Sequence, residues 1–402
     1  MSDPAARAAG LKGRVAATIR DRRDGIIAVS RALHAAPETA WNEHASAALL
    51  ADELERLGMT VTRGAGGLET AFVASAGSGA RTVAVVAEYD ALAGLGHACG
   101  HNIIAAAAVG AAAALVPLAG ALDAVVQVIG TPAEEGGGGK IHLLEAGVFD
   151  DVELAMMIHP GPADALFARP LAVAHFDVEY TGRASHASAY PTLGINAADA
   201  FTVAQVAIGL LRQHLPSAVR VHGVVREAGT APNAVPGSSL GSWYVRAATL
   251  EELETAFGRV TACFEAGALA TGCTIDIRET SPRYSEFRTD DALAAAFAAN
   301  AAAIGRDMDA DETRPPGMNT ASTDMGNVSR RIRALHPYLG IDSAPAVNHQ
   351  AEFAEATVRP AGDRAALDGA LLLAQTIVDA LLDPPHPDPL DLDQETAHAH
   401  AR

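Results

Sequence analysis

The 402-residue chain is predicted to be an α/β protein, a mixed and mostly parallel sheet sandwiched by helices, with an inserted ferredoxin-like α+β domain. Three observations predict it: helical patterns alternate with short apolar runs from about residue 24 to 160, a βαββαβ order fills residues 171–280, and helical patterns resume through residue 382. At a typical ~150 residues per domain the length suits two or three domains.

The alternation begins with the helical patterns "GIIAVSRALHAAPE" and "EHASAALLADELERLG". "TVAVVAEYD", "DAVVQVIGTPAEE" and "VELAMMIHPG" each carry a continuous apolar run of about five to seven residues, the pattern of strands covered on both faces. Between the first two lies "IIAAAAVGAAAALVPLAGAL", residues 103–122, long enough to cross a bilayer. Alanine contributes little insertion energy, Pro117 and Gly120 end the helix early, and a strand follows at once, so the segment is expected to be a buried helix packed on the sheet, with no membrane partner. "KIHLLEAGVF" adds a further helical pattern.

The insertion reads as strand "LAVAHFDVEYTG", helix "NAADAFTVAQVAIGLLRQHL", strands "VRVHGVVREAG" and "SSLGSWYVRAA", helix "LEELETAFGRVTACFEAGALA" and strand "CTIDIRET". The expected boundaries are 1–172 and 283–384 for the main domain, 173–282 for the insertion, and 385–402 for a Pro- and Asp-rich disordered tail.

Hydrophobic residues make up 49% of the chain and charged residues 19%, which suits a folded protein. The net charge of −19 argues against nucleic acid as a partner, because phosphate binding needs concentrated Lys and Arg. Cys99, Cys263 and Cys273 form no disulfide framework, and the N-terminus lacks the apolar core of a signal peptide; a cytoplasmic location is expected. Cys263 and Cys273 are expected in the core of the insertion.

Sites in open α/β sheets form at the carboxyl ends of strands. Here one strand runs out into Asp90, His97, Cys99 and His101, a second into Glu134 and Glu135, and a third into His159. Thiolate, imidazole and carboxylate delivered to one sheet edge are the donors that zinc and related divalent ions take. Gly100 between Cys99 and His101 lets a loop turn both side chains one way, and Asn102 is placed to cap the alanine helix. The adjacent acids divide the work, Glu135 as ligand and Glu134 as the base that takes a proton from an activated water. "GGGG" directly after them points to tight turning, and "TPAEEGGGGK" lacks phosphate-loop spacing. Asp90 orients a ligand histidine or caps a turn, and both readings stay open.

The motifs "EYDALAGLGHACGHN", "GTPAEEGGGGK", "HPG", "GRASHASAYPTLGINA", "APNAVP", "STDMGNVS" and "NHQAEFAEA", in order across residues 20–385, resemble peptidase family M20. Within it they are most similar to the amidohydrolase branch with p-aminobenzoyl-glutamate hydrolase, indole-acetyl-amino-acid hydrolases and a β-alanyl-lysine dipeptidase. The resemblance implies a two-metal catalytic domain with an inserted lid that also forms a homodimer. It carries the ligand roles to Cys99, His101, Glu135 and His159, adds His349, and gives Glu134 the role of base. His186 matches a histidine that in relatives reaches the partner's site and polarises the substrate carbonyl. Asn233 and Arg246 match lid positions that hold substrate, although Arg246 alternates with apolar neighbours as a solvent-facing strand residue also would.

The expectation is therefore a dinuclear amidohydrolase acting on N-acyl amino acids, dipeptides or related carboxylate-bearing amides. A thiolate ligand favours zinc, with manganese or cobalt as alternatives. Two rivals stand beside it: a Cys99 nucleophile paired with His97 or His101, and a catalytically silent binding protein on the same scaffold. His97 matches no ligand position, and His142, His175, His222 and His336 are read as structural or exposed.

Overall fold

The computed structural model describes residues 4–308 and 317–382, so the tail expected to be disordered lies outside the described residues. The chain divides into two compact units, one from Met1–Arg169 with Phe287–Arg402 and one from Pro170–Glu286. The insertion thus starts at Pro170 rather than 173 and ends at Glu286 rather than 282.

The first unit opens with helices α1 (Pro4–Asp21), α2 (Arg23–Ala35) and α3 (His44–Arg56) and strands β1 (Thr60–Arg63) and β2 (Phe72–Gly77). Helix α1 and both strands escaped the sequence reading. β1 is almost wholly exposed and β2 alternates, so neither carries the apolar run that marks a doubly covered strand. β3 (Arg81–Glu88), helices α4 (His101–Leu115) and α5 (Ala119–Leu122), β4 (Ala124–Thr131), α6 (Gly139–Glu145), β5 (Leu154–Met156) and β6 (His159–Gly161) follow. After the insertion come α9 (Asp291–Ala303), α10 (Met325–Ser329), β11 (Arg333–Leu335), β12 (Tyr338–Gly340), α11 (Ala351–Ala356) and α12 (Pro360–Leu382).

The six-stranded sheet has the order β1-β2-β4-β3-β5-β11. β3 runs parallel to β4 and β5, and β5 to β11, whereas β2 is antiparallel to β4 and β1 to β2. Both faces are covered, which explains the unbroken apolar strands: Val83, Val85 and Ala87 join the core with α1, α2, α4 and α12, while Ala84 and Val86 pack with Leu143, Phe149 and Met325.

The apolar stretch after residue 102 is a helix, broken by a 3-10 turn at Val116–Leu118 that contains Pro117. Every residue of α4 is buried. With α5 it has the length and apolarity of a bilayer span, as does α12, but 83% and 72% of their most apolar windows are buried inside the protein, so both serve as core helices. Small side chains let α4 and α12 approach closely: a Cβ on Gly110 would lie 2.7 Å from Ala370 Cβ and 2.9 Å from Ile26 Cδ1.

Asn102 does not cap α4. Gly100, in the left-handed region, is the residue before the helix, and a Cβ there would strike Pro160. The Asn102 amide instead donates to Ser30 Oγ at 2.8 Å and Thr357 Oγ1 at 3.3 Å, tying α4 to α2 and to the residue that ends α11.

The second unit comprises β7 (Ala172–Thr181), α7 (Ala197–Leu211), β8 (Arg220–Glu227), β9 (Ser238–Ala247), α8 (Leu250–Thr271) and β10 (Thr274–Glu279). Its antiparallel sheet, ordered β10-β7-β9-β8, has the ferredoxin-like arrangement, with its own core of Phe176, Tyr180, Phe201, Trp243 and Phe264. Asn196 and Thr249 cap the two helices by accepting the N–H groups of Ala198 and Glu252.

Gly110→Leu should overpack the contact among α4, α12 and α2 and lower stability by about 1–3 kcal/mol. The midpoint of urea unfolding measures it, and an unchanged midpoint would mean that this close approach is not needed.

Candidate metal centre

Because β3 lies between β4 and β5 and parallel to both, their carboxyl ends emerge side by side. The loop after β3 carries Asp90 and Cys99 and ends at His101, the first residue of α4; the turn after β4 carries Glu134 and Glu135; His159 opens β6 just beyond β5. His349, which sequence reasoning could reach only by resemblance, arrives from the distant end of the chain. It has a φ of +69°, its N–H donates to Ala98 O at 2.9 Å, and the amide of Asn348 donates to Cys99 O at 3.3 Å and Pro160 O at 3.2 Å.

Potential donor atoms gather in overlapping groups, all within 4.8 Å of one another in each: Cys99, His101 and His159; Cys99, Glu135 and His349; His101, Glu134 and Glu135; and Glu88, Glu134 and Asp324. Cys99 Sγ lies 3.6 Å from His159 Nε2, and Glu135 Oε1 lies 3.5 Å from His349 Nε2.

The histidine tautomers follow from their other nitrogens. His101 Nδ1–H donates to Asp90 Oδ1 at 3.0 Å, and His159 Nδ1–H donates to the carbonyl of Pro160 at 2.8 Å, so both present Nε2 inward. This orientation is what a metal-bound histidine requires. Asp90 also accepts the N–H of Glu135 at 3.0 Å through Oδ2, so one carboxylate braces two of the three strand ends. The second reading of Asp90, a turn cap, is not needed.

The electrostatics call for cations. Glu88, Asp90, Glu134 and Asp324 are buried and Glu135 nearly so, with the buried Lys140 ammonium among them. Burial, then the charges of Glu88 and Glu135, push Glu134 well above the usual carboxyl range. Burial and the Glu135 carboxylate push the Cys99 thiol up, the opposite of an activated nucleophile, which disfavours the Cys99-nucleophile rival. Burial pushes His159 down to about 3, leaving its neutral ring free to ligate. Burial disfavours the His101 imidazolium, but Asp90 outweighs it and holds this histidine well above its ordinary value. His101 Nε2 is fully buried with no hydrogen-bond partner. A divalent ion fits this set: the Cys99 sulfur, the Glu135 carboxylate and two oriented imidazoles converge, one of them with its inward nitrogen unpartnered, and a bound cation would replace the proton that His101 otherwise holds.

Several contributors went unseen in the sequence. Glu43, fully buried, accepts the N–H of Ala133 at 2.8 Å and the hydroxyl of Thr70 at 3.1 Å, holding the left-handed turn that leads into Glu134. Lys140 and Asp324 lie inside motifs that carry the family resemblance but gave them no role. Among the glycines between, Gly136 and Gly138 have positive φ, and a Cβ on Gly139 would strike the carbonyl of Pro132. His97 is buried, belongs to none of the donor groups, and is pushed down to about 3 by burial. His336 is also buried, its ring 5.6 Å from that of His159.

The remaining expected residues lie on the second unit. His186 is exposed, and its Nδ1 accepts the N–H groups of Ser188 at 3.3 Å and Ala189 at 3.1 Å, which leaves the proton on Nε2. Asn233 is exposed and its carbonyl accepts the N–H of Ala187. Arg246 is half-buried on β9, its Nε 3.3 Å from His222 Nε2 and its guanidinium 5.8 Å from the centre of the Tyr244 ring. Cys273 is buried and Cys263 half-buried against the core of this unit, and all three cysteines are free.

A model of peptidase family M20/M25/M40 matches residues 79–367. The chain is 38% identical over 388 residues to the Xaa-Arg dipeptidase of Mus musculus, covering 93% of this chain and 90% of that one. A p-aminobenzoyl-glutamate hydrolase polypeptide from Escherichia coli is 36% identical over 263 residues, 60% of this chain and 55% of its own. Among solved structures, an aminobenzoyl-glutamate utilization protein from Klebsiella pneumoniae shares the fold with a TM-score of 0.69 at 24% identity, covering 87% of this chain and 96% of that one. A dinuclear metal binding peptidase of the M20 family from Bacillus subtilis does so at 0.64 and 22%, covering 89% and 99%.

Asp90→Asn should keep the fold but weaken divalent-ion binding by about 10–100-fold, since the amide no longer fixes His101 as a charged acceptor. Competition against a chromogenic chelator measures this, and unaltered affinity would reduce Asp90 to a brace for the loops.

Proposed function

Since the chain belongs to peptidase family M20/M25/M40, whose members are metal-dependent amide and peptide hydrolases, we propose that it is a dinuclear amidohydrolase cleaving dipeptides and N-acyl amino acids. The single observation that carries this reading is the meeting of Cys99, His101, Glu135, His159 and His349 in overlapping donor groups that share Cys99, His101 and Glu135, with Glu134 beside them. The near full-length likeness to Xaa-Arg dipeptidases puts dipeptides with a C-terminal basic residue first among substrates to try.

Those five residues would hold the ions, and the thiolate favours zinc over manganese or cobalt. Bound divalent ions supply Lewis acidity, making water acidic enough to deprotonate near neutral pH and polarising the scissile carbonyl. Glu134 accepts the proton of the attacking water on a carboxylate oxygen and passes it to the departing amine. Burial beside Glu88 and Glu135 pushes its carboxyl up, and cations held next to it would offset that shift and keep it ionised to accept the proton. His186, with its proton on Nε2, donates a hydrogen bond to the carbonyl oxygen as charge develops there, and we propose that it does so from the partner subunit of a homodimer formed through the inserted unit. On the family resemblance we assign Arg246 and Asn233 to substrate binding, the arginine being suited to a carboxylate. Free thiols suit a reducing compartment, and we place the enzyme in the cytoplasm.

Chelation followed by add-back of zinc, manganese or cobalt, assayed on C-terminal Arg and Lys dipeptides and on N-acyl amino acids, tests this reading. Activity should vanish and return with the ion. Full activity in the metal-free protein would sink it, and no turnover of any amide by the loaded protein would point to a silent binder.

Glu134→Gln should retain bound metal and lose about 10²–10⁴-fold in kcat. A fully active variant would strip Glu134 of its role.

A further inference from the structure

The buried acids next to the five donors hold more negative charge than the visible cation compensates. Glu88, the last residue of β3, is completely buried, and so are Lys140 and Asp324. Lys140 Nζ lies 2.6 Å from Asp324 Oδ1 and 2.6 Å from Glu88 Oε1, while Asp324 Oδ2 accepts the N–H of Lys140 at 2.9 Å. One ammonium thus faces two buried carboxylates, and Asp324 in addition grips its backbone. The trio carries one negative charge more than Lys140 offsets, and it is Glu88 that has room for another cation, because neither of its oxygens has a hydrogen-bond partner.

The direction of the free oxygen is informative. Glu88 Oε2 lies 3.5 Å from His101 Nε2, the orphaned nitrogen that Asp90 turns inward. The same acid shares a 4.8 Å neighbourhood with Glu134 and Asp324. An ionised carboxylate in a low-dielectric interior needs a cation, and the oxygen of Glu88 that Lys140 does not hold faces His101.

We propose that Glu88 is a further oxygen donor at the metal centre, its Oε2 turned to the ion that His101 holds and its Oε1 fixed by Lys140. The inference rests on the metal reading above. Lys140 acts as a tethered counter-ion: it keeps Glu88 from swinging away and offsets part of the charge that another buried carboxylate brings to the site. Glu88→Gln is a fair probe because the Lys140–Asp324 pair stays charge-balanced without it.

The test titrates cobalt(II) chloride into the full chain and records bound-ion stoichiometry, affinity and visible spectrum. In the unaltered protein, failure to bind cobalt would defeat the metal reading itself, whereas binding leaves the outcome to Glu88. Glu88→Gln should weaken at least one ion by about 10–100-fold and shift the ligand-field bands, with thiolate charge transfer from Cys99 retained. If that variant does not fold, Glu88→Asp, which keeps the charge opposite Lys140 but draws the oxygens back, should show the same shift. Affinity and spectrum identical to the unaltered protein in the folded variant, even with a lowered melting temperature, would overturn the proposal and leave Glu88 as a counter-ion of Lys140 alone.

Discussion

The interaction on which this structure depends is negative charge buried at the carboxyl edge of a parallel sheet. Glu88, Asp90, Glu134 and Asp324 are almost fully removed from water, with the Cys99 thiol among them. Ionised groups in such a place cost several kcal/mol each unless compensated. Lys140 compensates part of that charge, and the hydrogen bonds from His101 and from the Glu135 N–H satisfy Asp90. What remains is a concentrated demand for cations, met in a metal-dependent hydrolase by the ions it binds.

The architecture makes that concentration achievable. Three neighbouring parallel strands end together, so a donor at each end needs only a short loop to reach the same point. Behind them α4 is packed so tightly that its residues are small and wholly buried, which holds His101, its first residue, on a rigid support. Glycines allow the chain to turn sharply beside the donors, and Glu43 holds Ala133 in an otherwise unfavourable left-handed conformation. Strain and buried charge sit at the site, and the well-packed core on both faces of the sheet sustains them.

The inserted unit follows a different logic. It has its own aromatic core and capped helices, and it presents polar groups on loops and on one strand face. His186 illustrates how a loop residue is made chemically definite: two backbone N–H groups consume Nδ1 and leave Nε2 as a donor. Nothing about that tautomer depends on burial.

Much of this was legible in the amino-acid order. Doubly covered strands announce themselves as unbroken apolar runs, the βαββαβ pattern marks the insertion, and Cys99, His101, Glu134, Glu135 and His159 follow directly from strand ends. β1, an exposed edge strand, and β2, an inner strand whose burial alternates, carry no such run, and Asn102 departs from its expected role because a capping residue type can equally serve as a buried tie between helices. His349 needed the resemblance, since a lone loop histidine carries no local signal. Residue types and local periodicity determine which elements form and which donors stand at their ends. Only the tertiary structure decided that Lys140 meets Asp324 across 184 residues and Glu88 across the sheet edge, that Asn348 clamps the Cys99 loop, and that Asp90 turns His101 inward. Pairings between distant side chains are set by packing, which brings together groups whose partners local sequence does not specify.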